Sequence, residues 1–211
     1  MNIIDSIVIA ISKGRILEEG IELLKNMGIE VVENMTDSRK LIYTTNNSKL
    51  KLVIVRAADV PTYVANGAAD MGIVGKDTLM EYSVNNIYVP LDLNISKCRM
   101  VLASLPNCKP GSRIKVATKY VKCTTDYFIK KNKQVDIIKL YGSMELAPIL
   151  GLADYIVDLV DSGMTLKANG LEEIDSISDI SSPGVLGALI LLGLFALIPA
   201  FYHRYKKKNH N

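Results

Sequence analysis

Short apolar runs of strand length recur along this chain, each followed by a polar turn and then by a segment whose apolar residues fall at helical spacing. "SIVIAIS" (6–12) precedes "ILEEGIELLKNMG" (16–28), where Gly28 marks the helix end. The same rhythm returns in "KLKLVIVRAADV", "ADMGIVGKDTLMEY", "CRMVLASLP", "SRIKVATKY", "VDIIKLYGSMELAP" and "ADYIVDLVDSG". Strand, polar turn, helix predicts an α/β chain with largely parallel sheets covered by helices. In such folds ligands bind outside the carboxyl ends of the strands, so function is expected in the polar turns.

Charge and cysteine content narrow the chemistry. Lys and Arg total 25 against 22 acids, but Arg204, Lys206, Lys207 and Lys208 crowd the last nine positions. The body is therefore nearly neutral and carries no electrostatic footprint for nucleic acid. Cys98, Cys108 and Cys123 have no C-x-x-C spacing and lie far from the only histidines, His203 and His210. This argues against a disulfide framework or zinc site and for a reducing compartment. "MNIIDSIVIAISKGR" lacks the basic start and long apolar core of a signal peptide.

Four turns carry the polar chemistry. "SKGR" (12–15) follows the first strand, and "RAADVPTY" sets Arg56 and Asp59 just after another. "GIVGKD" (72–77) offers two glycines and a lysine, though not in Walker spacing. "DSGMTL" (161–166) is the most specific: a glycine after a strand, flanked by Ser162 and Thr165, lets backbone N–H groups and hydroxyls converge on an anion. A plain N-capped helix is the competing account of that turn.

The stretch "ELAPILGLADYIVDLVDSGMTLKANGL" (145–171) resembles the signature of the ATP phosphoribosyltransferases, the first enzymes of histidine biosynthesis. "KGR", "RAADVPTYVANGAADMGIVGKD", "KCRMVLA" and "KVATKY" resemble further stretches of that family in the same order, and the likeness runs to about residue 182. By its length the chain is similar to the short form, without the C-terminal regulatory domain of the long form.

The resemblance implies two α/β lobes like those of periplasmic binding proteins, with a cleft between them. Lobe I would comprise residues 1–92 and 169–182, and lobe II residues 93–168. It implies transfer of the phosphoribosyl group of phosphoribosyl pyrophosphate (PRPP) to N1 of ATP, with Mg²⁺ and release of pyrophosphate. It also implies a hetero-oligomer with a regulatory subunit resembling histidyl-tRNA synthetase. Ser162, Gly163, Met164, Thr165 and Leu166 would hold PRPP through its 5-phosphate, while Asp158 and Asp161 would meet ribose hydroxyls or Mg²⁺-bound water and Glu145 would reach the same ribose; no direct protein ligand to the metal is expected. Capping is the rival role for Asp158 and Asp161, as is a helix-start acid for Glu145. Arg15 and Arg56 would be catalytic, and Lys13, Gly14, Asp59, Gly75, Asp77 and Arg99 would bind ATP. A different class of function, a non-catalytic, membrane-tethered nucleotide sensor, stays open beside the transferase.

The tail departs from the family, in which a strand and a helix normally complete the first lobe. Ile180 to Tyr202 is a 23-residue stretch without a charge, and at roughly 1.5 Å per residue it can span a hydrocarbon core of about 30 Å. The expectation is a transmembrane or buried helix over 183–202 with a basic tail at 203–211. The catalytic body, whose substrates are cytosolic, would stay in the cytoplasm, anchored to the membrane if the tail spans it.

Overall fold

The structure, a computed structural model, describes residues 6–35, 38–82 and 86–187. The chain divides into two compact units. The first takes the described residues up to 79 with 86–96 and 182–187; the second takes 80–82 and 97–181. Strands β5 (Ile87–Ser104) and β9 (Glu172–Gly187) each contribute one segment to each unit.

In the first unit the strands run in the order β2-β3-β1-β4-β9, with β1 Ile7–Ser12, β2 Ile42–Thr44, β3 Leu50–Val55 and β4 Met71–Ile73. β3, β1 and β4 are mutually parallel, whereas β2 and β9 pair antiparallel at the flanks. Strand alternation sorts the core onto two faces. Ile9 and Ile11 pack with Leu24 of α1 (Arg15–Asn26), and Val8 and Ala10 pack with Val60 and Val64 of α2 (Val60–Ala65). α1 ends as its sequence predicts, with Met27 at the cap and Gly28 at φ +80°.

The second unit orders its strands β9-β5-β8-β6-β7, with β6 Ile114–Thr118, β7 Val135–Lys139 and β8 Tyr155–Val160. β6 is parallel to both β7 and β8, and β5 closes against β8 antiparallel. One face carries Val101, Ala117, Ile156 and Val160 under the short helices α5 (Leu146–Ile149) and α6 (Met164–Ala168). The other carries Met100, Val116 and Val157 under α4 (Val121–Lys130).

Two boundaries differ from expectation. Residues 169–181 pack with the second unit rather than with the first lobe. Ile177 and Ile180 enter the Met100–Phe128 core, and Asp175 accepts hydrogen bonds from the Tyr127 hydroxyl at 2.6 Å and the Lys131 ammonium at 3.0 Å. Those two donors hold the Asp175 carboxyl below its usual range.

The second correction concerns the end of the described chain: 183–187 is strand, not the start of a helix. β9 pairs β4 through Gly72↔Val185, and the amide of Val74 donates to the Pro183 carbonyl at 3.4 Å. The strand that the family places here is therefore present. It is specified by Val185, fully buried among Val60, Val64 and Val74. Among the described residues no helix is long and apolar enough to cross a membrane. Residues 188–211, on which the membrane-or-buried-helix expectation and the basic tail mainly fall, lie outside the described residues.

Gly72 is where this closure is tightest. A Cβ there would sit 2.7 Å from Val60 Cγ1, 2.9 Å from Val185 Cγ2 and 3.0 Å from Val64 Cγ2. Gly72→Ala is expected to destabilise the chain by about 1–3 kcal/mol through overpacking, read as a lower urea midpoint at unchanged slope. A midpoint at the wild-type value would show that β4, α2 and β9 relax freely.

Candidate functional site

Parallel pairing lines up the polar turns of the first unit. Ser12 lies opposite Val55 and Ile11 opposite Ile73, so the turns beginning at Lys13, Arg56 and Val74 leave the sheet on neighbouring strands, each about 4.8 Å apart. The Lys13 amide continues the ladder, donating to the Val55 carbonyl at 3.3 Å. The turn after β1 leads to α1 on the Ile11 face, whereas the turn after β4 leads into α3 (Lys76–Glu81), whose Leu79 packs on the Ala10 face. That divergence is the topological switch point at which open α/β sheets bind ligands.

The side chains gathered there are those the sequence singled out. Gly14, the residue before α1, has φ +93° and open space where a Cβ would stand, so its requirement is conformational. Lys13 is exposed, as are Arg15, which pairs with Glu19 at 3.4 Å, and Arg56. Neither Lys13 nor Arg56 forms an ion pair among the described residues. Asp59 ends a single 3-10 turn whose amide donates back to the Arg56 carbonyl at 2.9 Å, which holds the two charges on one short loop. Gly75 is buried beneath the Asp77 carboxylate: a Cβ would lie 2.1 Å from Asp77 Oδ1. Ser12, which sequence reasoning passed over as a member of the site, is buried at the end of β1 with its hydroxyl lacking a partner among the described residues.

The second unit has a carboxyl edge of the same kind. β8 runs into Asp161 and Ser162, both exposed, and then into Gly163 at φ +77°, ψ 3°, a left-handed residue from which α6 starts. Left-handed backbone costs an ordinary residue about 1–2 kcal/mol, which accounts for glycine here. The capping account does not hold in its simple form: the position before α6 is Gly163 itself, with no side-chain cap. The Ser162 hydroxyl only weakly accepts the Met164 amide, at 3.4 Å. Met164 and Thr165 project outward, while Leu166 is 6% exposed and anchors α6 in the core, so its side chain is not a ligand group.

Glu145 follows a residue of the core beneath this loop. Its neighbour Met144 is 1% exposed and clusters with Ile156, Val160 and Leu166. Strand alternation puts Asp158 on the same face as Ile156 and Val160. Asp158 is half-buried, with its Oδ1 accepting the Leu159 amide at 2.8 Å. Glu145, Asp158 and the 161–165 turn thus each lie close in sequence to residues of one core cluster.

Arg99 lies in the second unit, within the bounds expected of lobe II, opposite Val160 at the end of β8. It is held by a two-pronged ion pair, Nη1 to Glu173 Oε1 at 2.5 Å and Nη2 to Oε2 at 3.0 Å. Glu173 had no signal in the sequence, because the pair exists only through the adjacency of β9 and β5.

Known proteins resemble this chain in both sequence and fold. Residues 56–186 match the family described as "HisG: ATP phosphoribosyltransferase". The chain is 48% identical over 201 residues to the ATP phosphoribosyltransferase of Psychrobacter arcticus, covering 95% of this chain and 87% of that one. It is similar to a chain of the ATP phosphoribosyl transferase (HisG:HisZ) complex from Thermotoga maritima, with TM-score 0.80 and 32% identity over 95% of this chain and 97% of that one. The substrate-binding protein of an amino acid ABC transporter shares the fold, at TM-score 0.55 and 15% identity over 96% of this chain and 92% of that one.

Cys123 tests whether a cysteine could serve as a nucleophile. Burial, reinforced by the negative charge of Glu81, pushes its thiol up to about 12. The folded value lies above that of a free thiol, so Cys123 stays protonated at pH 8 and is inert. Alkylation of the native protein at pH 8, mapped by mass spectrometry, should modify Cys98 and Cys108 well before Cys123. Equal or faster labelling of Cys123 would contradict this.

Proposed function

The chain belongs to the ATP phosphoribosyltransferase family, and from that premise we propose that it transfers the phosphoribosyl group of PRPP to N1 of ATP, the first step of histidine biosynthesis. The observation that supports this reading is the left-handed Gly163 turn at the end of β8, whose anchor Leu166 shares a core cluster with Met144, the residue before Glu145. A non-catalytic sensor would leave that whole constellation without a purpose.

The reaction forms a bond between adenine N1 and ribose C1 as the bond from C1 to the pyrophosphate oxygen breaks. Positive charge grows on the ribose ring and negative charge on the leaving group. Such a step calls for positioning and neutralisation, not for a protein nucleophile. Backbone amides around Gly163, with Ser162 and Thr165, would cradle the 5-phosphate of PRPP. Asp158, Asp161 and Glu145 would orient the ribose and favour its developing positive charge. Arg15 and Arg56 would meet the phosphates in flight, with Lys13, Gly14, Asp59, Gly75 and Asp77 lining the ATP side.

A magnesium ion would travel on the diphosphate of PRPP, whose charged oxygens suit a hard cation. Bound there, Mg²⁺ would offset charge on the departing pyrophosphate, and Asp158 and Asp161 are the carboxylates placed to hold its waters. The likeness to the HisG:HisZ complex supports assembly with a second, regulatory subunit, and cytosolic substrates put the catalytic body in the cytoplasm.

Release of pyrophosphate from ATP plus PRPP, with and without the regulatory subunit, tests the function directly; no release in either case would overturn it. Arg15→Ala and Arg56→Ala are each expected to lower kcat/KM by roughly 10²-fold or more, with no ribosylated enzyme on rapid quench. Near-normal kinetics would remove them from the machinery. Gly163→Val should fold, since the new side chain has only Val160 Cγ1, 3.8 Å from its Cβ, as a near neighbour. It should nonetheless lose PRPP binding in calorimetry as the turn leaves its left-handed conformation. Wild-type affinity in a folded variant would refute the cradle.

A further inference from the structure

We propose that Tyr141 is the stacking platform for the adenine ring of ATP, an inference that rests on the transferase reading above. Tyr141 is 85% exposed, the highest value among the large hydrophobic side chains of the described residues. It opens the turn between β7 and α5, at the carboxyl edge of a parallel strand. The next residues keep it there. Gly142 has open space around the position of a Cβ, and Ser143 takes the left-handed φ of +50° that non-glycine residues avoid. Met144 then locks the turn into the core. The chain thus bends through an unfavourable conformation and presents a large aromatic ring to water, where it adds nothing to packing.

The position suits the chemistry. Thr118 of β6 lies opposite both Lys139 and Val157, so Tyr141 is about level with Leu159 and two strand spacings, roughly 10 Å, from β8. The Asp161–Thr165 turn begins just beyond, and the Met144–Val160–Leu166 cluster ties the two turns to one core patch. PRPP seated on that turn offers C1 to an incoming N1. Of the two substrates only ATP carries an aromatic ring, and that ring bears the attacking nitrogen. The Lys139 ammonium stands 5.5 Å from the Tyr141 ring centroid, a cation–π contact that steadies the ring while most of its surface stays open to a base.

Steady-state kinetics of Tyr141→Ala, Tyr141→Phe and wild type, each with the regulatory subunit present, decide the matter. Stacking of a base on an aromatic side chain predicts a rise in KM for ATP of roughly 5- to 150-fold in Tyr141→Ala. KM for PRPP should stay near the wild-type value, and Tyr141→Phe should restore ATP affinity because the face of the ring is kept. So exposed a side chain can be truncated without unfolding the chain, and circular dichroism checks that. An unchanged KM for ATP overturns the proposal, as does an equal rise for both substrates. Failure of Tyr141→Ala to assemble with the regulatory subunit, with KM for ATP intact, also overturns it and makes Tyr141 a docking residue. A wild-type protein that releases no pyrophosphate would instead refute the transferase reading itself.

Discussion

Parallel hydrogen-bonded pairing is the constraint on which the rest of this molecule depends. In a parallel ladder every strand ends at the same edge, so whatever follows each strand is delivered to a common line. β3, β1 and β4 do this in the first unit, and β7, β6 and β8 in the second. Lys13, Arg56 and Gly75 are far apart in sequence, yet they become neighbours because Ser12 pairs with Val55 and Ile11 with Ile73. The antiparallel strands at the flanks close these ladders without altering where the turns emerge.

Side-chain packing then refines what the ladders bring near. Met144 is the clearest case: buried in the same core cluster as Val160 and Leu166, it anchors the turn that holds Tyr141 in the core that also underlies the loop after β8. Leu166 does the same from the other side, which is why a residue inside the most specific motif has its side chain in the core. The glycines at 14, 75 and 163 serve different ends. Gly14 and Gly163 allow left-handed or related backbone at strand-to-helix turns, and Gly75 makes room for the Asp77 carboxylate.

The chemistry that results is electrostatic. The cysteine capped by Glu81 is held in its neutral thiol form, and the body contains no histidine. What the turns offer instead are backbone amides, hydroxyls, carboxylates and arginines, the groups that the proposed reaction calls for. Arg99 shows how tertiary structure adds a partner that local sequence does not announce, since Glu173 holds it in a bidentate pair.

Much of this was legible in the sequence, because local pattern dictates local structure. The alternation of apolar runs and helical spacing specified the α/β class, and Gly28 marked the end of α1. The Ser-Gly-x-Thr run marked the turn after β8, where Gly163 takes the left-handed conformation before α6. What the sequence could not express was anything dependent on which strands lie side by side. The pairing of β9 with β4 turned residues 183–187, which read as the start of an apolar helix, into a strand with Val185 buried. An uncharged run carries no periodicity to separate the two, and the unpaired edge of β4 decided it. The adjacency of β9 and β5 likewise produced the Arg99–Glu173 pair, and the packing of Ile177 and Ile180 moved 169–181 into the second unit. Local sequence determined the elements and their turns; long-range pairing and burial, which join residues a hundred positions apart, decided the company those turns keep.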